Sequence, residues 1–365
     1  MMITEKSKIT QGQFMLIVVQ SQVGVGILSL PHKMQEIAKG GGWISTLIAG
    51  LIVQVIILIL WALCRRFPTD TIYSFLPKIT GKVLGNLLCI AYICYFLFSA
   101  GTVLSILADV VGKWVLHETP RWVFLILTLL TCIYLAKENL RVIARFFVIS
   151  SFMIIVMVLF SLFSYANVNF IYIFPITEAG WWNIIKASNE AVFPLVGYEV
   201  ILVIYPFVEG KSGGILKAAS LGNMLITLFY SFEVFTSLVI FSPAVMPAIM
   251  EPLLYMLKGF SFQIIQRIDL IFISLWIIVV SAAIVSWIYM GTVGLGRLFH
   301  RGEHKKAVPY TALIIFILAM IAQDPSTSAL YNKIIKISHY AFVIVLPLIL
   351  LIISYLTRKR RTKAI

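Results

Sequence analysis

The sequence predicts an all-α integral membrane protein with ten transmembrane helices, arranged as a five-plus-five inverted repeat in which helices one and six are broken. Three observations predict it. The 365 residues are 61% hydrophobic and 12% charged, with a mean hydropathy of +1.00, whereas soluble domains carry roughly 25% charged residues. A spanning helix needs about 20 mostly apolar residues, and ten such stretches are centred near residues 22, 53, 98, 129, 153, 196, 229, 280, 315 and 347. The first and sixth of these carry interruptions at their middles. Five is an odd number of spans, so the second half inserts upside down relative to the first. The halves share no residue-level identity, and the repeat is inferred from the matching breaks alone. Residues 1–365 then form a single transmembrane domain, with repeat one at about 11–165, repeat two at about 183–357 and a basic cytoplasmic tail at 358–365.

The first span enters as an apolar run, meets Gln20-Ser21-Gln22 and loosens at Gly24-Val25-Gly26. It resumes at Ile27-Leu28-Ser29-Leu30 before Pro31. In hydrocarbon an unpaired backbone amide costs several kcal/mol, so non-helical backbone survives only where it lines a protein cavity or binds something. The second span, Trp43 to about Cys64, opens after Gly40-Gly41-Gly42 and ends at Arg65-Arg66. A short basic connection containing Pro68 and Pro77 leads to the third span, about Gly85 to Val111. The fourth and fifth spans are joined through Lys137-Glu138-Asn139-Leu140-Arg141, and a polar, aromatic segment from Asn167 to Trp182 precedes the sixth. That span repeats the opening theme as Phe193-Pro194-Leu195-Val196-Gly197-Tyr198-Glu199. Proline removes a backbone donor and Gly197 permits an unwound backbone. Glu199 is an ionisable group near bilayer depth, where such groups are functional hypotheses by default.

The net charge of +14 invites a nucleic-acid reading, which its distribution opposes. With both termini cytoplasmic, 20 of the 29 Lys and Arg residues fall on the inner side, as the positive-inside rule expects. The tail Arg358-Lys359-Arg360-Arg361 suits anionic membrane lipid. Cys64, Cys89, Cys94 and Cys132 lie in apolar stretches without a CxxC spacing and read as buried thiols. Gly210-Lys211-Ser212 echoes the end of a phosphate loop, but Tyr205 stands where its first glycine belongs. His300 and His304 are four apart among Arg301, Lys305 and Lys306, with no third ligand, and read as a solvated basic loop. No nucleophile stands with a base. The chain is expected not to be an enzyme and to use no metal or cofactor.

Each half-helix ending at a break presents unpaired backbone groups and about half an elementary charge of dipole. The amides of Val25, Gly26 and Ile27 suit a carboxylate, and the carbonyls near Gln20 to Gln22 and near Pro194 to Gly197 suit an ammonium. A zwitterion fits both poles, which is the physical case for a free amino acid. The competing account of Gly24 and Gly26 is close helix packing, although packing glycines usually recur four apart. For Pro194 and Gly197 it is a proline kink without ligand. Glu199 is alternatively a structural partner of a neighbouring hydroxyl. In such a fold helices three and eight flank the breaks. Tyr95, Ser99 and Thr102 make one polar stripe on the third span, and Ser281, Val285 and Tyr289 are spaced by four on the eighth. Hydroxyls in membrane helices often back-bond to the preceding turn instead. Glu233 and Asp109 are further candidates for a proton or water path. The candidate ligand-binding set is Gly24, Val25, Gly26, Ile27, Tyr95, Ser99, Gly197, Tyr198, Glu199, Ser281 and Tyr289.

The segment Val23-Gly24-Val25-Gly26-Ile27-Leu28-Ser29-Leu30-Pro31 resembles the G-x-G-I-L/F-x-x-P signature of helix one in the amino acid–polyamine–organocation superfamily. Phe193 to Glu199 is similar to that superfamily's F-x-G-aromatic-acid break in helix six, with extra spacing before the glycine. Within it the chain most resembles the B subunits of spore germinant receptors. The ten-span length, Leu116-His117-Glu118-Thr119-Pro120 and the run from Glu199-Val200 to Tyr205-Pro206-Phe207 carry that likeness. The resemblance implies the fold of the bacterial leucine transporter and a place in the spore inner membrane. It also implies A and C partner subunits, the latter a lipoprotein, and a role in sensing small germinants, often amino acids. Carried over by position, Gly24, Gly26, Gly197 and Tyr198 belong to the germinant pocket, with contributions near Ser99 and Tyr289. Two departures stand out: helices eleven and twelve of typical permeases are missing, and helix five lacks the midway lysine of some proton-coupled relatives, which counts against proton-coupled uptake. The expected function is a germinant-sensing membrane subunit that signals germination through partners. The alternative is an amino-acid permease, since sensor and carrier share one cavity.

Overall fold

In hydrocarbon every backbone polar group needs a partner within the protein, and a single apolar stretch meets that demand by coiling into a helix. The computed structural model describes residues 8–259, 267–299 and 303–357. Among them fifteen α-helices form and no strand. Broken helix one comprises α1 (Gln11–Gln22), a 3-10 turn (Val25–Ile27) and α2 (Leu30–Ala38). It is followed by α3 (Gly42–Arg66), α4 (Ile72–Thr80), α5 (Lys82–Trp114), α6 (Arg121–Ala136) and α7 (Leu140–Phe163). Broken helix six comprises α8 (Trp181–Val192) and α9 (Ile201–Ile204), with 3-10 turns at Phe193–Leu195, Tyr198–Val200 and Tyr205–Phe207. Then come α10 (Ser212–Ile240), α11 (Pro252–Lys258), α12 (Ile268–Phe299), α13 (Val308–Ile321), α14 (Pro325–His339), a π-helical stretch (Tyr340–Val345) and α15 (Leu346–Leu356). Six helical stretches among the described residues are long and apolar enough to cross a membrane, and a seventh if the bent pair Trp181–Leu195 and Tyr198–Phe207 counts as one. Arg121–Ala136 and Val308–Ile321 are shorter apolar helices.

Local chemistry explains where helices begin and stop. Thr10 opens α1 with a capping box: its hydroxyl accepts from the Gln13 amide at 3.2 Å, and its own amide donates to Gln13 Oε1 at 3.0 Å. α1 stops because Val23 and Gly24 are extended. Asp324 caps α14 by accepting from the Thr327 amide at 2.8 Å. Arg121, at the start of α6, donates to Ser105 Oγ at 2.7 Å and to the carbonyl of Ala322 at 3.0 Å. It also pairs with Asp109, so one guanidinium gathers the ends of α5 and α13. A short parallel bridge between Ile9 and Val208 ties the entry of broken helix one to the exit of broken helix six.

The two breaks meet at the centre. α1 packs on α10, α7 and α12; α3 packs on α10 and α8; and α5 packs on α12 and α13. Small residues allow the closest crossings: a Cβ on Gly50 would lie 2.2 Å from Thr227, and one on Gly222 would lie 2.9 Å from the Met15 carbonyl oxygen. Exposed Leu51, Phe152, Leu127 and Leu313 lie on the outer surface, an apolar coat that hydrocarbon would solvate.

Several expectations are corrected by packing. The basic connection after the second span folds into α4, whose inner face buries Tyr73, Phe75 and Leu76, with Pro77 near its C-terminal end. The third span is longer than predicted at both ends, running from Lys82 to Trp114. Cys94 is exposed, unlike Cys64, Cys89 and Cys132. His304 is not solvated: its ring meets Tyr289 at 5.3 Å, its Nε2 lies 3.2 Å from the Glu138 carbonyl, and burial holds the imidazole below its ordinary pKa. His300, Arg301 and the tail 358–365 lie outside the described residues.

Candidate functional site

Around the first break the backbone runs extended through Gly24 (φ −119°, ψ −167°) before re-entering a helical turn at Val25. The hydroxyl of Tyr230, on α10, bridges the gap: it accepts from the Gly24 amide at 3.2 Å and donates to the Gln22 carbonyl at 3.2 Å. Tyr230 was not among the predicted residues, because nothing in its own segment signals a partner on α1. Tyr230→Phe is expected to lower stability by about 1–3 kcal/mol, the cost of leaving buried backbone groups unpaired, and a thermal-unfolding midpoint measures it.

At the second break Gly197 takes φ +131°, a conformation that glycine adopts without steric cost. Its amide donates to Glu199 Oε2 at 2.8 Å. The two halves of helix six bend by 53°. The breaks interlock through glycine. A Cβ on Gly197 would stand 1.9 Å from the Ser21 carbonyl oxygen, and one on Gly26 would stand 2.9 Å from Pro194 Cβ. Gln22 adds a polar tie, its Nε2 donating to the Leu195 carbonyl at 2.9 Å. Ser21 reaches α12, with its Oγ 2.7 Å from Ser286 Oγ.

Where the breaks face α5, α12 and α14 they leave a cavity of about 310 Å³. Gly24, Val25, Gly26 and Ser99 line it, together with Ser21, Ser29, Thr102, Phe193, Pro194, Val196, Trp287, Ser328 and Asn332. Lys33 and Asp109 also line it and are its charged groups. Ser99 and Thr102 donate to the carbonyls of Tyr95 and Phe98 at 2.8 and 2.9 Å, so only their acceptor lone pairs remain for a guest. Apolar walls with a few converging polar groups are the usual chemistry of a small-molecule pocket. A larger groove of about 580 Å³ lies among α1, α7 and α10. Ser151 is the polar side chain in its lining, beside exposed Phe152, Ile155 and Leu228, so it reads as a lipid-facing furrow that shares no lining residue with the cavity.

The remaining predicted residues do not line the cavity. Ile27 is buried. Tyr95, Gly197, Tyr198 and Glu199 belong to an adjacent buried cluster: Tyr95 Oη is hydrogen-bonded to Glu199 Oε1 at 2.8 Å, and Tyr198 Oη lies 3.0 Å from His339 Nε2. Ser281 and Val285 do share a face, as their spacing implied, but that face turns toward Leu130, Cys132 and Phe146 in a separate groove. Tyr289 packs on His304 instead. The face of α12 toward the breaks carries Ala283, Ser286 and Trp287. Helical period alone leaves the rotation of α12 free, and its packing against α5 and α7 sets it. Ser328 and Asn332, four apart at the start of the last span, were legible as a polar stripe. Glu233 is fully buried, with Ser161 Oγ 2.9 and 2.8 Å from its two carboxyl oxygens.

An all-helical bundle with two interlocked broken helices also occurs among solved structures. The solved structure "Crystal structure of MhsT in complex with L-phenylalanine" superposes on 94% of this chain and 88% of its own, with a TM-score of 0.67 and 15% sequence identity, which shows the fold. Residues 8–328 match the family described as spore germination protein, and the chain belongs to that family. It is 25% identical to spore germination protein YndE of Bacillus subtilis (strain 168), over 99% of this chain and 100% of the relative. It is 27% identical to spore germination protein GerQB of Bacillus cereus, over 87% of each, and 25% identical to spore germination protein B2 of Bacillus subtilis (strain 168), over 96% of each.

Proposed function

We propose that the chain is the germinant-sensing membrane subunit of a spore germinant receptor. A small amino acid or similar nutrient binds in the cavity between the breaks, and its closure signals germination through A and C partner subunits. In this reading ten crossings form two inverted sets of five, both termini are cytoplasmic and the protein sits in the spore inner membrane. The observation that carries it is the 310 Å³ cavity floored by Gly24, Val25 and Gly26, in a chain of the spore germination family. A carboxylate would meet the N–H groups that open the Val25–Ile27 turn, which have no preceding helical carbonyl. Phe193, Val196 and Trp287 would clasp an apolar side chain. A ligand shifts a conformational equilibrium only by its differential affinity for the two states, so the response rests on how differently the open and closed breaks hold it.

A thermal-shift screen of the full-length protein against the common amino acids tests the proposal. A ligand at 100 times its Kd adds about 2.7 kcal/mol to stability. No shift from any of them would count against an amino-acid ligand. The transporter fold also favours a second reading, a permease. Robust concentrative uptake by the isolated protein in liposomes would select the permease, and binding without uptake the sensor.

A further inference from the structure

We propose that Glu199, His339 and the hydroxyls of Tyr95 and Tyr198 form a proton-binding site beside the ligand cavity, in which carboxyl and imidazole share one proton through Tyr95. Glu199 and His339 are 0% and 2% exposed. The chain of contacts is continuous. Glu199 Oε1 lies 2.8 Å from Tyr95 Oη, Tyr95 Oη lies 3.3 Å from His339 Nδ1, and His339 Nε2 lies 3.0 Å from Tyr198 Oη. None of the ion pairs among the described residues includes Glu199 or His339. The groups facing the pair are Tyr92 and Tyr95 from α5, Cys64 beside Tyr92 from α3, and Tyr198 and Tyr340. None of these carries a charge at neutral pH in its ordinary state.

The donor count closes in either of two arrangements. With the proton on the carboxyl, Glu199 donates to Tyr95, Tyr95 donates to His339 Nδ1, and the Nε2–H of a neutral imidazole donates to Tyr198. With the proton on the imidazole, Nδ1–H donates to Tyr95 and Tyr95 donates to an ionised Glu199. Tyr95 passes its own proton one way and takes another from behind, so the cluster stays neutral overall. Removing the shared proton leaves a single negative charge at bilayer depth without a counter-ion, which is strongly unfavourable.

Occupancy of this site bears on the breaks directly. The other oxygen of Glu199 holds the Gly197 amide, at the point where Gly197 rests on the Ser21 carbonyl. His339 shares one face of α14 with Asn332 and Ile335, both in the cavity wall. It stands immediately before the π-helical stretch Tyr340–Val345, and π-turns are frequent at functional sites. Trp287, also in the cavity wall, meets Tyr95 edge-on at 5.9 Å. The site draws one residue from α5, two from the turn Tyr198–Val200 and one from the end of α14.

The test needs no germinant and so stands apart from the ligand reading. Infrared difference spectra between acidic and alkaline buffer are recorded on the full-length protein in liposomes. The expected result is a carboxyl C=O band that is lost in Glu199→Gln, retained in Glu233→Gln and shifted in frequency in Tyr95→Phe. In His339→Gln the same band should titrate at a different pH. An unchanged spectrum in Glu199→Gln overturns the proposal. If that variant does not fold, Tyr95→Phe and His339→Gln keep the carboxyl and decide the matter: both leaving the band's frequency and titration midpoint unmoved overturns it equally.

Discussion

Gly197→Ala is expected to be among the most damaging single-methyl changes in the protein, lowering stability by about 2–5 kcal/mol. The left-handed backbone costs an L-residue roughly 1–2 kcal/mol, and overpacking a well-filled site adds about 1–3. The contact is with backbone, since the new Cβ would stand 1.9 Å from the Ser21 carbonyl oxygen at φ +131°. Neither partner can swing aside as a flexible side chain would. The strain falls where the two broken helices touch, so the variant should also separate them. A thermal midpoint measured in detergent reads the first effect, and loss of any thermal shift that the proposed ligand gives the parent reads the second. A variant as stable as the parent would mean that helix six does not unwind at Gly197.

On the proposed reading, Gly26→Val is expected to abolish the ligand-induced thermal shift while leaving the helical bundle folded. A Cβ there would meet Pro194 Cβ at 2.9 Å, and valine adds two further carbons at the cavity floor. The stabilisation of about 2.7 kcal/mol that saturating ligand confers at 100 times its Kd should therefore disappear. Gly24→Ala makes the internal control, because nothing lies within 4 Å of a Cβ at Gly24. It should fold normally and only trim the cavity. Equal ligand response in the parent and in Gly26→Val would remove the site from the space between the breaks.

Much of this was legible in the order of residues. Hydrocarbon demands internally bonded backbone, so apolar runs of sufficient length had to be helices, and Gly24, Gly26, Pro194 and Gly197 marked where two of them come apart. The meeting of Gly26 with Pro194 and of Gly197 with Ser21 was not legible, because a glycine says that something approaches closely and not what. The same limit applies to polar stripes. Tyr95, Ser99 and Thr102 share a face, yet Tyr95 turns to Glu199 while the other two line the cavity. Ser281 and Tyr289 point elsewhere altogether.

Sequence alone, then, determined that the chain is a membrane-embedded helical bundle interrupted near Gly24 and near Gly197, because local backbone chemistry and the length of apolar runs answer to no distant partner. Tertiary structure decided which helix faces turn inward, that Tyr230 from α10 bridges the first break, and that His339 from the last span completes a buried cluster with Glu199. Those outcomes depend on the rotation of one helix about its axis against another. Side-chain packing sets that rotation, and a one-dimensional period leaves it undetermined.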